Sequence, residues 1–261
     1  MKRNSIICLV FSICSFPIIS YYLLSLPFKS YNVNLSDNKY YIAHGGGGID
    51  GYTYTNCKEA LLGSLDKGYN FVELDFSLTS DSVLVCAHGP QVFNKITGGN
   101  VSSTDMPNLK EFENSRILGE YTPLTAKEAL HILIQRPFIL LVDFISDPEI
   151  IDKNFSEFKD QIMVETTSIE NYIGLEKKGY LAMLTLGDLE LRSVIKFLLC
   201  QVMCKKPIRY ATVTVNCRWR NLRVLKRVFN LSFFAYTSNS VVFVNNHLGT
   251  DVDKVYTDFL L

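Results

Sequence analysis

The segment Phe71-Val72-Glu73-Leu74-Asp75-Phe76 decides how this chain folds and where its chemistry lies. Bulky apolar residues alternate with two carboxylates, and a period of two predicts a β-strand. Because side chains at positions i and i+2 project on the same side of a strand, Glu73 and Asp75 point the same way. A strand packed on both faces accommodates such carboxylates when a counter-ion is present. The segment therefore predicts a buried strand with a site for a hard cation.

Short strands of this kind recur along the chain and alternate with helical patterns. The strand candidates are Tyr40–Ala43, Phe71–Phe76, Leu84–His88, Phe138–Phe144, Ile162–Glu165, Leu181–Thr185, Tyr210–Val215, Phe233–Thr237 and Lys254–Thr257. Amphipathic stretches such as Cys57–Lys67, Thr125–Ile134 and Ile169–Lys178 lie between them. Strands that alternate with helices pair in parallel, so an α/β fold is expected.

Length and topology then select the architecture. Residues 29–261 have the length of a single (β/α)8 TIM barrel, and no linker divides them. Nine strand candidates exceed the eight of a barrel, and Leu84–His88 is the run most readily placed outside the closed sheet. An open doubly wound sheet is the alternative, but no G-x-G-x-x-G motif follows the first strand.

Residues 1–28 form a separate segment. Lys2 and Arg3 precede an uncharged run whose apolar part, residues 6–28, is long enough to cross a hydrocarbon layer of roughly 30 Å as a helix. No small-x-small cleavage motif ends the run, so an uncleaved transmembrane signal anchor is favoured over a cleaved signal peptide or a buried helix. Because basic residues favour the cytoplasmic side, Lys2 and Arg3 predict a single-pass membrane protein with residues 29–261 on the non-cytoplasmic side.

Charge and cysteine usage exclude two classes of function. Twenty-six basic and twenty-six acidic residues give a formal net charge of zero, so the chain has no overall positive field for nucleic acid. Seven cysteines occur without a C-x-x-C pair, and this spacing argues against structural zinc.

Polar residues end the predicted strands, and the active site of a β/α barrel lies at those carboxyl ends. The residues are His44, Glu73, Asp75, His88, Asp143, Glu165, Thr185, Asn216, Tyr236, Asn239 and Asp258. A lone histidine at a strand end is commonly structural. Beside the acidic pair, however, His44 and His88 form a candidate acid–base couple around a metal.

Several motifs resemble those of the glycerophosphodiester phosphodiesterase family. They are Ile42-Ala43-His44-Gly45-Gly46-Gly47, Tyr54-Thr55-Asn56-Cys57-Lys58-Glu59-Ala60, Val72-Glu73-Leu74-Asp75 and Asp81-Ser82-Val83-Leu84-Val85-Cys86-Ala87-His88. Their order and spacing match the family's H-R-G, P-E-N-T, E-L-D and H-D segments. Ala235–Asn239 and Val255–Asp258 are similar to its V-W-T-V-N and I-T-D strands.

The resemblance implies a barrel that hydrolyses a phosphodiester joining glycerol phosphate to an alcohol with a divalent cation. By position, it gives Glu73, Asp75 and Asp143 as metal ligands, and these hard oxygens indicate Ca²⁺ or Mg²⁺. It gives His44 and His88 as the residues that assist the attacking water or hydroxyl and protonate the leaving alkoxide. Asn56 and Tyr236 fall in matching motifs and are predicted substrate contacts.

The departures from the family pattern concern the phosphate. Charged residues of the family are replaced by Gly45, Thr55 and Gly89, and the lysine of its E-I-K strand becomes Ile145. Two substitutes are visible. The first is the glycine run that begins with Gly45 and Gly46, whose backbone N–H groups could form an anion-binding nest. The second is Arg218 or Arg220, which follows the seventh barrel strand. The alternative for the glycine run is a flexible turn, and the alternative for the arginines is a solvated helix start.

The expected function is a membrane-anchored, metal-dependent phosphoric diester hydrolase acting on lipid-derived or surface-polymer glycerophosphodiesters. The missing arginine and lysine motivate a second interpretation, a degenerate barrel that serves as a binding or assembly module at the membrane. The second histidine followed by glycine also resembles phosphatidylinositol-specific phospholipase C, but the middle of the chain adds nothing to that interpretation.

Overall fold

The computed structural model describes residue 34 and residues 37–261. In this part of the chain the strands are β1 Tyr41–Ala43, β2 Phe71–Leu78, β3 Leu84–Cys86, β4 Ile139–Asp143, β5 Ile162–Thr166, β6 Leu181–Gly187, β7 Tyr210–Thr214, β8 Ser232–Tyr236 and β9 Lys254–Thr257. Each lies within about two residues of a predicted strand at either end. The period-two pattern therefore located them well.

Eight of these strands close into a parallel barrel. The order around the barrel is β1, β2, β4, β5, β6, β7, β8 and β9, and β1 pairs with both β2 and β9. The predicted (β/α)8 barrel is confirmed, and closure through β1 excludes the open sheet. β3 pairs antiparallel with the end of β2, outside the barrel, as expected for Leu84–His88.

Helices pack around the barrel. They are α1 Lys58–Asp66, α2 Gly89–Thr97, α3 Leu109–Asn114, α4 Ala126–Leu133, α5 Pro148–Phe155, α6 Ile169–Lys178, α7 Leu191–Met203, α8 Trp219–Phe229 and α9 Val241–His247. Capping boxes at Asn108 and Thr125 start α3 and α4. Helices α2, α3 and α9 are not among those predicted from the sequence.

The barrel interior changes from apolar to acidic along its axis. Its inner core contains Ile42, Leu141, Met163, Met183, Phe234 and Tyr256. Along β2 the inward positions follow from Phe71 to Glu73 and Asp75, and β4 likewise ends its inward series at Asp143. The carboxyl ends of the strands therefore hold a polar layer above an apolar plug.

The predicted membrane anchor, residues 6–28, lies outside the described residues. Within the described part of the chain, no helix combines the length and apolar character that crossing a bilayer requires.

Candidate active site

A cavity of about 140 Å³ opens at the carboxyl ends of the barrel strands. Its lining residues are His44, Tyr54, Glu73, Asp75, His88, Asp143, Glu165, Thr185, Tyr236 and Tyr256. This is where β/α barrels carry their active sites. The five residues predicted as acid–base groups or metal ligands all line it.

Three carboxylates converge in this cavity. Glu73, Asp75 and Asp143 each offer an oxygen within 4.8 Å of the others. The register explains the cluster, because Asp75 pairs with Asp143 across β2 and β4 and Glu73 precedes Asp75 by two positions on the same side. Carboxylate oxygens grouped in this way are the ligands that Ca²⁺ and Mg²⁺ take.

The electrostatics of the cluster fit a cation. Burial, followed by the charges of Asp75 and Asp143, raises the pKa of Glu73 well above 4.5, and burial raises the pKa of Asp75. Within the described residues, Glu73 Oε1 is buried and has no hydrogen-bond partner. No lysine or arginine of the described chain lines the cavity. Buried carboxylates with an orphaned oxygen and no protein cation match the requirements of a bound divalent ion.

His44 is held by a carboxylate. Its Nδ1 lies 2.9 Å from Asp258 Oδ1, and Asn239 donates to the other oxygen of Asp258 at 2.9 Å. Since a carboxylate only accepts, this contact assigns the proton to Nδ1 in the neutral ring and leaves the Nε2 lone pair for other donors. Thr237 Oγ1 lies 3.4 Å from that Nε2. The arrangement suits a proton acceptor with a fixed orientation.

His88 lies across the cavity from His44. It is the residue before α2, and its half-exposed side chain places Nε2 3.9 Å from Asp75 Oδ1. Tyr54 separates the two histidines, with ring centroids 4.4 Å from His44 and 5.3 Å from His88. The Phe144 ring packs on the other side of His88 at 4.8 Å. Both imidazoles therefore border the same carboxylate cluster.

Asn56 holds Asp75 in place. Its Nδ2 donates to Asp75 Oδ2 at 2.9 Å, and its Oδ1 accepts from the Asp75 backbone N–H at 2.9 Å. The residue is fully buried. The substrate contact predicted for Asn56 stays a prediction, and the structure shows its carboxamide engaged with Asp75. Asn56 positions the carboxylate of Asp75, because both polar atoms of its carboxamide bond to that residue.

The glycine run is not an open nest of N–H groups. Gly45 donates to Glu73 Oε2 at 2.6 Å, Gly47 donates to the His44 carbonyl, and Gly48 donates to the Asp258 carbonyl. The N–H donors of Gly45, Gly47 and Gly48 already have protein acceptors, and phosphate binding by Gly45 and Gly46 stays a prediction. The run instead fixes Glu73 and the chain around His44.

Arg218 and Tyr236 have different surroundings. Arg218 precedes α8, outside the cavity, where its exposed guanidinium lies 3.6 Å from Glu190. Its phosphate contact stays a prediction, and the structure places its guanidinium at the surface before α8. Tyr236 lines the cavity, and burial raises its pKa to about 12. Its hydroxyl therefore stays protonated at neutral pH.

Four lining residues were not assigned a role from the sequence. Glu165 and Thr185 had been recognised as polar strand ends, whereas Tyr54 and Tyr256 had not been singled out. The hydroxyl of Tyr256 donates to the Glu165 carboxylate, and burial raises the pKa of Glu165 well above 4.5. Tyr256 precedes Asp258 by two positions, so its inward direction follows from strand periodicity. Tyr54 lies in a loop and gave no such pattern.

A second, larger cavity of about 500 Å³ is lined by Phe144 together with Ser77, Thr79 and Met106. The ring of Phe144 also packs on His88, which lines the first cavity.

The model of the glycerophosphoryl diester phosphodiesterase family matches residues 48–193, whereas no curated protein matches the chain. A phosphodiesterase of Oleispira antarctica, in complex with its product sn-glycerol-3-phosphate, superposes with a TM-score of 0.67 at 15% identity, covering 84% of this chain and 92% of that one.

Two further solved structures share the fold. The glycerophosphodiester phosphodiesterase of Thermotoga maritima has a TM-score of 0.65 at 18% identity, covering 85% of this chain and 95% of its own. That of Agrobacterium tumefaciens has a TM-score of 0.62 at 16% identity, covering 84% and 95%. Since the family match spans more than half of the residues, the chain belongs to the glycerophosphoryl diester phosphodiesterase family.

Proposed function

We propose that this chain is a metal-dependent phosphoric diester hydrolase that cleaves glycerophosphodiesters to a glycerol phosphate and an alcohol. One observation carries the proposal: a cluster of three buried carboxylates faces His44 and His88 in a single cavity at the catalytic end of the barrel. The sn-glycerol-3-phosphate in the Oleispira antarctica relative supports the glycerol phosphate half of the substrate.

Glu73, Asp75 and Asp143 would hold the divalent cation, which we infer to be Ca²⁺ or Mg²⁺ from the hard oxygen donors. When bound, such an ion supplies positive charge for the non-bridging phosphate oxygens. The family pattern adds an arginine and a lysine to that charge, and this sequence replaces them with Gly45 and Ile145. Asn56 and Gly45 hold two of the ligands through hydrogen bonds.

The two histidines divide the proton transfers. His44, fixed by Asp258, accepts a proton from water at Nε2 as the water oxygen bonds to phosphorus. His88 donates a proton to the alkoxide as its bond to phosphorus breaks. We assign His88 to the leaving group because Phe144, which packs on His88, lines the larger cavity, and that cavity has room for an alcohol. One proton is taken up and one released, so the pair is reset by exchange with solvent.

We also propose that residues 6–28 anchor the chain in a membrane with the barrel on the non-cytoplasmic side. The support is the uncharged run and the two basic residues before it. Membrane fractionation of the full chain tests this. We expect the intact chain in the membrane fraction after a carbonate wash, whereas a soluble chain beginning near Lys29 would indicate a cleaved signal peptide.

A second candidate function is a barrel that binds its ligand without turnover. The observation in its favour is that no lysine or arginine in the described chain lines the cavity. A hydrolase of this family pattern would have one or two cations at the phosphate. The carboxylates and histidines would then remain only as a binding site.

Turnover decides between the two candidates. The full chain in detergent is assayed against a panel of glycerophosphodiesters with Ca²⁺ or Mg²⁺ and with chelator, and released alcohol and glycerol phosphate are measured. We expect release from at least one diester, lost on chelation. A chain that binds a diester in both conditions without release would support the binding module.

A further inference from the structure

The outer face of α7 differs from that of the neighbouring helix. Phe197 and Cys200 are its buried residues. Its exposed apolar residues are Leu191, Ile195, Leu198, Leu199, Val202 and Met203. Their spacing of three and four places them on one side of the helix. On α8 the corresponding exposed large apolar residue is Val228 alone.

Cations accompany this apolar face. Residues 191–209, which we call the α7 surface, contain five basic residues and no acidic one, in a chain whose net charge is zero. Four of them, Arg192, Lys205, Lys206 and Arg209, are exposed. On α8, by contrast, Arg223 and Lys226 are ion-paired with Asp251 and Asp253 at 2.7 and 2.9 Å. The α7 surface is thus both apolar and positive.

We propose that the α7 surface docks on an anionic phospholipid membrane. An apolar face flanked by basic residues is the pattern of a helix that lies in the interface of a bilayer, with its apolar side chains among the acyl chains and its cations at lipid phosphates. Glu176 Oε1 accepts from the Lys206 backbone N–H at 3.0 Å, but neutral lipid or an apolar segment would cover the face and add no negative charge for the four exposed cations.

Two other occupants fit less well. A second copy of the chain, paired through the same face, would bring ten basic residues together with no acid among them, and like charges repel. Residues 6–28 of the chain itself are apolar but carry no charge, so they do not balance the cations. Charge complementarity therefore favours the anionic membrane.

The position of the α7 surface agrees with this occupant. Helices of a β/α barrel run antiparallel to its strands, so α7 ends at the barrel end where β1 begins. Lys205 and Lys206 therefore lie at the end where the chain enters the barrel from residues 1–40. A barrel that rests on α7 has its axis along the membrane, so its mouth faces sideways and not away from the bilayer.

Depth-dependent fluorescence quenching tests the proposal. Trp219, the chain's one tryptophan, is replaced by Phe, and a new tryptophan is introduced as Val202→Trp on α7. The matched control carries Val101→Trp, another exposed valine, between β3 and β4. The full chain is reconstituted in vesicles of phosphatidylcholine alone or with phosphatidylserine, each with brominated acyl chains.

With phosphatidylserine we expect the tryptophan at position 202 to be quenched several-fold more than the one at 101, and with phosphatidylcholine alone the difference should largely disappear. Lys205→Gln with Lys206→Gln should lower the ratio of docked to undocked chain by roughly 30-fold, since each cation near an anionic surface contributes about 1 kcal/mol to docking. Lys110→Gln with Lys127→Gln, two exposed lysines elsewhere, should leave it unchanged.

Two results overturn the proposal. Equal quenching at positions 202 and 101 with phosphatidylserine shows that α7 stays in water. Blue-shifted emission from position 202 that grows with protein concentration, together with a sedimentation coefficient that grows in parallel, assigns the face to a second copy. Neither result depends on turnover, so the proposed hydrolase activity is tested separately.

Discussion

The cavity and the α7 surface carry opposite charge in a chain whose formal net charge is zero. The cavity holds four carboxylates, those of Glu73, Asp75, Asp143 and Glu165, and within the described residues no lysine or arginine lines it. The α7 surface holds five cations and no acid. A formal net charge of zero can therefore arise from two separated regions, one acidic and internal, the other basic and external.

The largest effect on activity is expected from removing one carboxylate of the acidic cavity. We expect Asp75→Asn to lower turnover below about 10⁻⁴ of the unmodified chain, because it removes a proposed cation ligand and the partner of His88 together. Phosphorus NMR of product release at saturating Ca²⁺ or Mg²⁺ measures this. Glu157→Gln, at an exposed glutamate, is the control and should be silent. Retained turnover in Asp75→Asn would remove the carboxylate cluster from the mechanism.

The histidines test whether the acidic cavity serves proton transfer. His44→Ala and His88→Ala should each lower turnover by about 10² to 10⁴, the usual contribution of a positioned acid or base, with cation affinity nearly unchanged. A diester with an activated, low-pKa alcohol separates their roles. It should rescue His88→Ala and not His44→Ala, because such an alcohol leaves without protonation. Rescue of the opposite variant would exchange the two roles.

Moving a cation into the acidic cavity sharpens the comparison. Gly45 has φ +55°, and a Cβ there would lie 3.1 Å from Tyr54 Cα. Gly45→Arg, although it restores the family residue, should therefore destabilise the fold by about 1–2 kcal/mol and lower turnover by roughly tenfold as the Gly45–Glu73 hydrogen bond shifts. Thermal melts and initial rates measure both effects. Turnover above that of the unmodified chain would show that the cavity lacks only a phosphate cation.

The smallest expected effect is on the stability of the metal-free chain. Folded Glu73 keeps its proton to a higher pH than unfolded Glu73, whose ordinary pKa is 4.5, so its contribution to stability falls as the pH rises from 4.5 through the raised pKa. Glu73→Gln keeps an acceptor oxygen for Gly45 and removes the charge. In chelator at pH 8 it should raise Tm by about 2–4 °C, the shift that about 1 kcal/mol gives in a domain of this size.

That gain should shrink towards pH 5, where Glu73 is neutral in the folded chain. Calorimetric scans of both proteins across this pH range give the comparison. A variant less stable than the unmodified chain at pH 8 in chelator would show that the Glu73 charge is already compensated within the protein.

The sequence predicted those features that follow from strand periodicity. The inward direction of Glu73 and Asp75 depends only on their spacing within one strand, and the alternation of strands with helices sets the parallel barrel that brings Asp143 alongside. His44 and His88 were placed by motif resemblance, and both line the cavity. Local pattern and chain order were enough for these residues.

Three site residues have partners in the structure that the sequence did not predict, because these partners depend on which groups lie within reach in three dimensions. Asn56 and Gly45 have groups that could bind phosphate, but the fold presents each with a buried carboxylate first. Arg218 follows a barrel strand, yet the local turn into α8 directs it to Glu190. The apolar spacing of α7 is that of a helix packed on a core, and only the exposure of its apolar side chains in the structure distinguishes it.

The central claim is that Glu73, Asp75 and Asp143 form one cation site facing two histidines. Its most direct test is a calorimetric titration of Ca²⁺ and of Mg²⁺ into the chelator-stripped full chain, its Glu73→Gln variant and the Glu157→Gln control. We predict a single site in the unmodified chain and the control, with proton release that grows as the pH is lowered because Glu73 must ionise. We predict no saturable binding in Glu73→Gln. Equal affinity and stoichiometry in all three proteins would contradict the account.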